Sequence, residues 1–183
     1  MIYQPAEDSY LLQETLKEFL KTKNHNIHIL DMGSGSGIQA ETSKKLKFNN
    51  LLTIDINPIA ISHLKELGLP TIKSNLFSNI KKSEKFDLII FNPPYLPEDK
   101  REPKDSRLAT TAGKKGYEII IKFLKQATNH LKNKKSSILL LFSSHSKPKI
   151  ILKKAKDLGY NYDLLNNQKL FFEELFVYEF RSN

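Results

Sequence analysis

Ile27-His28-Ile29-Leu30-Asp31-Met32-Gly33-Ser34-Gly35-Ser36-Gly37 is the stretch from which the fold can be read. It opens with an apolar run, Ile27 to Leu30, and passes directly into a turn of alternating glycine and serine. A short, near-continuous apolar run reads as a strand covered on both faces, as in a parallel sheet. Glycines at its end let the backbone turn tightly and let a ligand approach without a Cβ in the way. In an open α/β sheet, nucleotide-like ligands bind at the carboxyl ends of the strands. The turn departs from the dinucleotide pattern G-x-G-x-x-G, because Ile38 stands where the third glycine would be needed. A plain Gly/Ser turn is the competing reading.

Outward from that stretch the same grammar repeats. Leu51 to Ile54, Phe86 to Phe91 and Ile138 to Phe142 read as buried strands, and a third strand is expected near Thr71-Ile72-Lys73 at an exposed sheet edge. Between them lie helical segments at Gln39–Leu46, Pro58–Leu67, Tyr117–Leu131 and Lys149–Leu158. Strand–helix alternation implies an α/β fold with a parallel sheet and right-handed crossovers. Tyr160–Leu164 and Leu175–Phe180 read as a closing antiparallel hairpin joined through Asn166-Asn167 and the residues after it. Leu11, Leu12, Leu16, Phe19 and Leu20 mark an amphipathic first helix. Asp8 or Ser9 is the expected N-cap, and Glu7 and Asp8 suit the positive helix end. The charged loop Leu96–Lys115, with Pro97 and Pro103, reads as a lid.

Composition sets the bounds. The 183 residues predict one domain, 1–183, and 39% apolar content is that of a globular protein. No apolar run approaches the roughly 20 residues needed to cross a bilayer, and the Met1–Pro5 opening shows no signal peptide, so a cytoplasmic address is expected. With no cysteine, disulfides, thiolate metal sites and cysteine nucleophiles are excluded. The five histidines are scattered, and no metal site is expected. A net charge of +9 suits a polyanionic partner, but the lysines are spread along the chain and the excess reads equally as compositional bias.

Two further motifs follow the Gly-rich turn. Asp55 ends the second strand in Asp55-Ile56-Asn57-Pro58. A carboxylate there can accept both hydroxyls of a ribose, each charged bond worth roughly 1.5–3 kcal/mol. Pro58 fits the first helical position, and the competing reading makes Asp55 a helix cap. Asn92-Pro93-Pro94-Tyr95 ends the fourth strand. The Asn92 side-chain oxygen and the Pro93 carbonyl can each accept one N–H of a substrate –NH2 whose lone pair is delocalised. That fixes the nitrogen and aims its lone pair. Pro94 keeps Pro93 extended and so directs the carbonyl. Tyr95 can pack on the planar group, and the gain is positional and electrostatic.

In this order the three motifs resemble the HemK/PrmC family of class I methyltransferases, and the resemblance covers nearly the whole chain. Tyr3-Gln4-Pro5-Ala6-Glu7-Asp8-Ser9, Asp55-Ile56-Asn57-Pro58, Ala112-Gly113-Lys114-Lys115-Gly116 and Glu173-Glu174-Leu175-Phe176-Val177 are similar to its archaeal and eukaryotic branch. The length fits that branch, since bacterial members carry an extra N-terminal helical domain. The resemblance implies a Rossmann-like domain: a seven-stranded, mostly parallel sheet with a C-terminal antiparallel hairpin and flanking helices. It implies S-adenosylmethionine as cofactor, contacted by Ser9, Asp31, Gly33, Gly35, Asp55, Asn75, Leu76 and Asn92. It implies catalysis by Asn92, Pro93, Pro94 and Tyr95 on the glutamine amide of the Gly-Gly-Gln loop in class I release factors. Asn75 stands where the family usually has Asp, and an amide oxygen accepts an adenine amine without charge assistance. Ala112 and Lys115 depart from the family's A-G-G-x-x-G stretch.

The alternative is a nucleic-acid methyltransferase acting on an exocyclic amine of adenine or guanine, which the same tetrapeptide serves. Reading a flipped base normally takes a separate recognition domain, for which the chain leaves no residues. A catalytically idle binding module is the third reading, and the intact tetrapeptide argues against it. The resemblance further implies a small zinc-binding activator docking on the edge strand, with its zinc held by the activator.

Overall fold

The computed structural model describes residues 2–96 and 113–183. Its elements are α1 (Glu7–Leu20), β1 (Ile29–Met32), α2 (Ile38–Lys45), β2 (Leu51–Asp55), α3 (Pro58–Glu66), β3 (Thr71–Lys73), β4 (Leu88–Phe91), α4 (Glu118–Ala127), β5 (Ser137–Ser143), a short 3-10 turn (Ser144–Ser146), α5 (Pro148–Asp157), β6 (Tyr160–Lys169) and β7 (Glu174–Ser182). They form one seven-stranded sheet in the order β3-β2-β1-β4-β5-β7-β6. The first five strands are parallel, β7 runs antiparallel to β5, and β6 antiparallel to β7.

The continuous apolar runs are central because both faces are covered. Ile138, Leu140 and Phe142 of β5 join a core with Phe123 of α4 and Ile151 of α5. Leu139 and Leu141 join a second core with Leu12 and Leu16 of α1, Ala40 of α2 and Leu64 of α3. The period-2 alternation of a strand therefore feeds two helical layers. Leu12 and Leu16 are fully buried, and truncating either to alanine costs about 2–5 kcal/mol.

Several boundaries differ from the sequence reading. Ala6, not Asp8 or Ser9, is the N-cap of α1, and both of those residues are buried inside its first turn. Asn166 and Asn167 are not the hairpin turn. They pair with Val177 and Phe176 inside a ten-residue β6, with a register shift between Leu164 and Asn166. An Asn-Asn step is a turn signal only where the chain is free to turn, and pairing against the long β7 overrides it. The chain reverses instead at 170–173, where Leu170 N–H donates to the Glu173 carbonyl. The helix expected over Tyr117–Leu131 ends at Ala127, and Phe86 meets Leu131 in an isolated bridge ahead of β4. As expected, β3 lies at a sheet edge, and β6 forms the other. Most of the expected lid, 97–112, lies outside the described residues. None of the helices described is long and apolar enough to cross a membrane.

Candidate active site

The sheet order reverses between β1 and β4, and strands diverging at such a point leave a crevice at their carboxyl ends. A cleft of about 940 Å³ opens there. Ser9, Asp31, Gly33, Gly35, Asp55, Asn75, Leu76, Asn92, Pro93 and Pro94 all line it. Tyr95 does not; it is half-buried against both cores, and its carbonyl accepts the Ser146 hydroxyl at 2.8 Å.

The Gly-rich turn forms one wall. Gly33 has φ +63° and Gly37 φ +82°, a region costly for residues with a Cβ. A Cβ on Gly33 would stand 3.2 Å from the Phe91 ring, and one on Gly37 3.0 Å from Leu64 Cδ2. The turn is stitched to β2 from two sides. Ser34 N–H donates to the Ile54 carbonyl at 2.9 Å, and Gly35 N–H to Asp55 Oδ2 at 2.8 Å. Asp55 Oδ1 accepts Asn57 N–H at 2.8 Å. The cap of α3 is Asn57, whose Oδ1 takes Ile59 N–H at 3.0 Å. Each Asp55 oxygen keeps lone-pair capacity for a hydroxyl in the cleft.

Asp31 sits deepest. It is buried, and its Oδ2 has no hydrogen-bond partner among the described residues. Burial pushes its carboxyl up to about 7, against the lowering effect of Ser34 and the Ala40 N–H, with the Asp55 charge adding a smaller upward push. Across the cleft, Leu76 adopts φ +51°. The Ser74 hydroxyl donates to the Leu76 carbonyl at 2.7 Å and accepts Asn79 N–H at 3.0 Å, which holds the strained turn. Asn75 projects exposed on that wall.

Asp8 organises the opposite end, a role that sequence reasoning missed. Its Oδ1 accepts the Tyr3 hydroxyl at 3.1 Å, Ser9 N–H at 2.6 Å and the Ser9 hydroxyl at 3.2 Å. Its Oδ2 accepts Asn92 Nδ2 at 3.1 Å and the Tyr95 hydroxyl at 3.5 Å. A carboxylate is acceptor-only, so Asp8 dictates which way the Asn92 amide faces. Asn92 Oδ1 is thereby left buried and without a partner among the described residues. Burial first, and the Asp8 carboxylate next, hold both tyrosine hydroxyls well above the usual phenol range, so both remain donors. An acid at the start of a helix reads as a dipole partner; only its spacing to the tetrapeptide in three dimensions shows the second role.

Comparison with known proteins settles the family. A Methanocaldococcus jannaschii protein named for N5-glutamine methyltransferase activity is 37% identical, over 96% of this chain and 89% of its own. The chain belongs to the protein N5-glutamine methyltransferase family. Residues 39–171, which contain Asn92–Tyr95, also match the family model of the Eco57I restriction-modification methylase. A Fusobacterium nucleatum release factor glutamine methyltransferase is 36% identical over 54% of the chain, but the chain spans only 30% of that longer protein. Among solved structures, E. cuniculi Mtq2, solved in complex with Trm112, superposes with a TM-score of 0.79 at 24% identity, covering 100% of this chain and 99% of that one. The fold is that of a class I methyltransferase and the enzyme is S-adenosylmethionine-dependent. The site suits that cofactor: two buried acids, one with an oxygen that has no partner among the described residues, lie beside a turn with no room for a Cβ at Gly33 or Gly37.

Proposed function

We propose that the chain methylates the side-chain amide nitrogen of glutamine in the Gly-Gly-Gln loop of a class I translation release factor. The observation that carries the reading is Asn92 Oδ1, a buried acceptor turned by Asp8 toward a donor that the described residues do not supply. A primary amide offers two N–H groups. Asn92 Oδ1 takes one and the Pro93 carbonyl the other, which holds the nitrogen and enriches it in electron density. When bound, S-adenosylmethionine would supply the methyl group: the nitrogen would attack the methyl carbon, the C–S bond would break to leave S-adenosylhomocysteine, and the proton lost by the nitrogen would pass to water. Asp31 would hold the cofactor's ammonium, Asp55 its ribose hydroxyls, and Asn75 and Leu76 its adenine, with Ser9, Gly33 and Gly35 completing the cradle. Tyr95 acts through Asp8 and at the rim rather than from the cleft wall.

The match to the Eco57I model favours a second reading, an exocyclic amine of a nucleic-acid base. The jannaschii relative supports the protein substrate over 96% of the chain, whereas the model match omits the first motif and Asp8. The two readings separate when release factor, tRNA and duplex DNA are offered with labelled cofactor: label in the release factor alone supports the first.

We also propose a small partner protein along β3, and a cytoplasmic site of action with translation. Support comes from the edge position of Thr71–Lys73 and from Mtq2 having been solved with Trm112. With no cysteine in this chain, any structural zinc in such a complex would be held by the partner.

A further inference from the structure

Gln39 stands in the first turn of α2 and is 4% exposed. Its Nε2 donates to the Ser9 carbonyl at 2.9 Å. A carbonyl only accepts, so this bond fixes which way the amide faces and makes Oε1 the free end. Oε1 is buried and has no partner among the described residues, although Gln39 lines the cleft. An orphaned acceptor in a buried position carries a desolvation penalty that a ligand can relieve. The ligand group must be a donor. Asp31 Oδ2 and Asn92 Oδ1 are the other buried acceptors lining this cleft with no partner among the described residues. Asn92 is assigned to the substrate amide above, and the backbone of Ala40, next in sequence to Gln39, acts on the Asp31 carboxyl to lower its proton affinity. Two buried acceptors lining one cleft, one of them acidic, fit a cation with several N–H groups. Of the cofactor's donors, the ribose hydroxyls belong with Asp55 and the adenine amine with Asn75. The α-ammonium of the methionine end remains.

We propose that Gln39 is a cofactor-binding residue whose Oε1 accepts one N–H of the α-ammonium, while its Nε2 ties that contact to Ser9 on α1. The inference rests on the cofactor reading above. Two consequences follow from the geometry. The amide links the N-terminal segment that carries Asp8 to the cofactor's amino-acid end. Discrimination between ligands with and without the ammonium should depend on Gln39.

The test uses the full chain and titration calorimetry with two ligands. One is S-adenosylhomocysteine. The other is its deaminated analogue, with hydrogen in place of the α-amino group and the carboxylate kept. Gln39→Met should weaken S-adenosylhomocysteine by roughly 10–150-fold, the range of one hydrogen bond to a charged group, and the deaminated ligand by less than about threefold. A residue that only tethers Ser9 would weaken both equally, and that result overturns the proposal. Gln39→Glu is the second variant, read as the ratio of the two affinities, so a shared loss from a disturbed tether cancels. The ratio should equal or exceed that of the wild type; a fall overturns the proposal even where Gln39→Met does not fold. Failure of S-adenosylhomocysteine to bind the wild-type chain would instead sink the cofactor reading itself.

Discussion

Asp8 and Asn92 form the hydrogen-bonded pair on which the proposed chemistry turns. Asn92→Ala removes the acceptor but none of the proposed Asp31 and Asp55 contacts. It should leave cofactor affinity within a few-fold and cut methyl transfer by about 10²–10³, the usual effect of losing one positioned polar contact to a transition state. Asp8→Asn is the sharper variant. It keeps the volume but removes the acceptor-only partner, so the Asn92 amide is free to reverse. Single-turnover rates should fall roughly 10–150-fold, the equivalent of a bond to a charged group, with cofactor affinity little changed. An unchanged rate would show that Asp8 is only a structural carboxylate. Asp31 adds a pH signature. Its carboxyl is raised to about 7 from an ordinary 3.8, so the cofactor-free protein binds the proton more tightly folded than unfolded. That contribution to stability is fully present below about pH 3.8 and is lost as pH rises through about 7. An ammonium beside Asp31 favours the ionised form, so cofactor affinity should rise through the same range. Calorimetry from pH 6 to 8 should show it, and Asp31→Asn should flatten the profile.

At the scale of elements, the strands were legible because burial on both faces demands continuous apolar runs. The Gly-rich turn was legible because only glycine meets its backbone demands. Gly37 is the clearest case: it begins α2 in the left-handed region, and a Cβ there would press on Leu64 and Leu67 of the α3 region. Gly37→Ala should lower unfolding free energy by about 1–3 kcal/mol in a urea titration. The hairpin register was not legible. Asn166 and Asn167 carry a turn composition, yet Asn166 reaches Thr15 of α1 at 3.2 Å and Asn167 reaches Glu174 at 2.7 Å within the ladder. Local composition cannot show partners 151 residues away. Asp8 was missed for the same reason, since its link to Asn92 spans 84 residues. The Tyr3–Ser9 opening carries the family likeness in sequence, and the physical role of Asp8 within it, accepting from Tyr3 and Asn92, exists only once α1 is folded against the end of β4.

For the whole molecule, one rigid α/β sheet brings the N-terminal segment, the Gly-rich turn and the tetrapeptide to a single cleft. The described fold accounts for cofactor and acceptor chemistry together. The proposed partner would lie along β3 at the sheet edge, so its removal should act through solubility and stability; co-expression with a candidate followed by size-exclusion chromatography should give co-elution. Full activity of the lone chain without co-elution would count against an obligate partner. The acceptor is the central claim. Labelled S-adenosylmethionine incubated with the chain and a class I release factor should place one methyl group on the glutamine of the Gly-Gly-Gln loop. Changing that glutamine to glutamate should abolish labelling, and so should Asn92→Ala in the enzyme. Label that enters tRNA or duplex DNA while the release factor stays bare would contradict the claim.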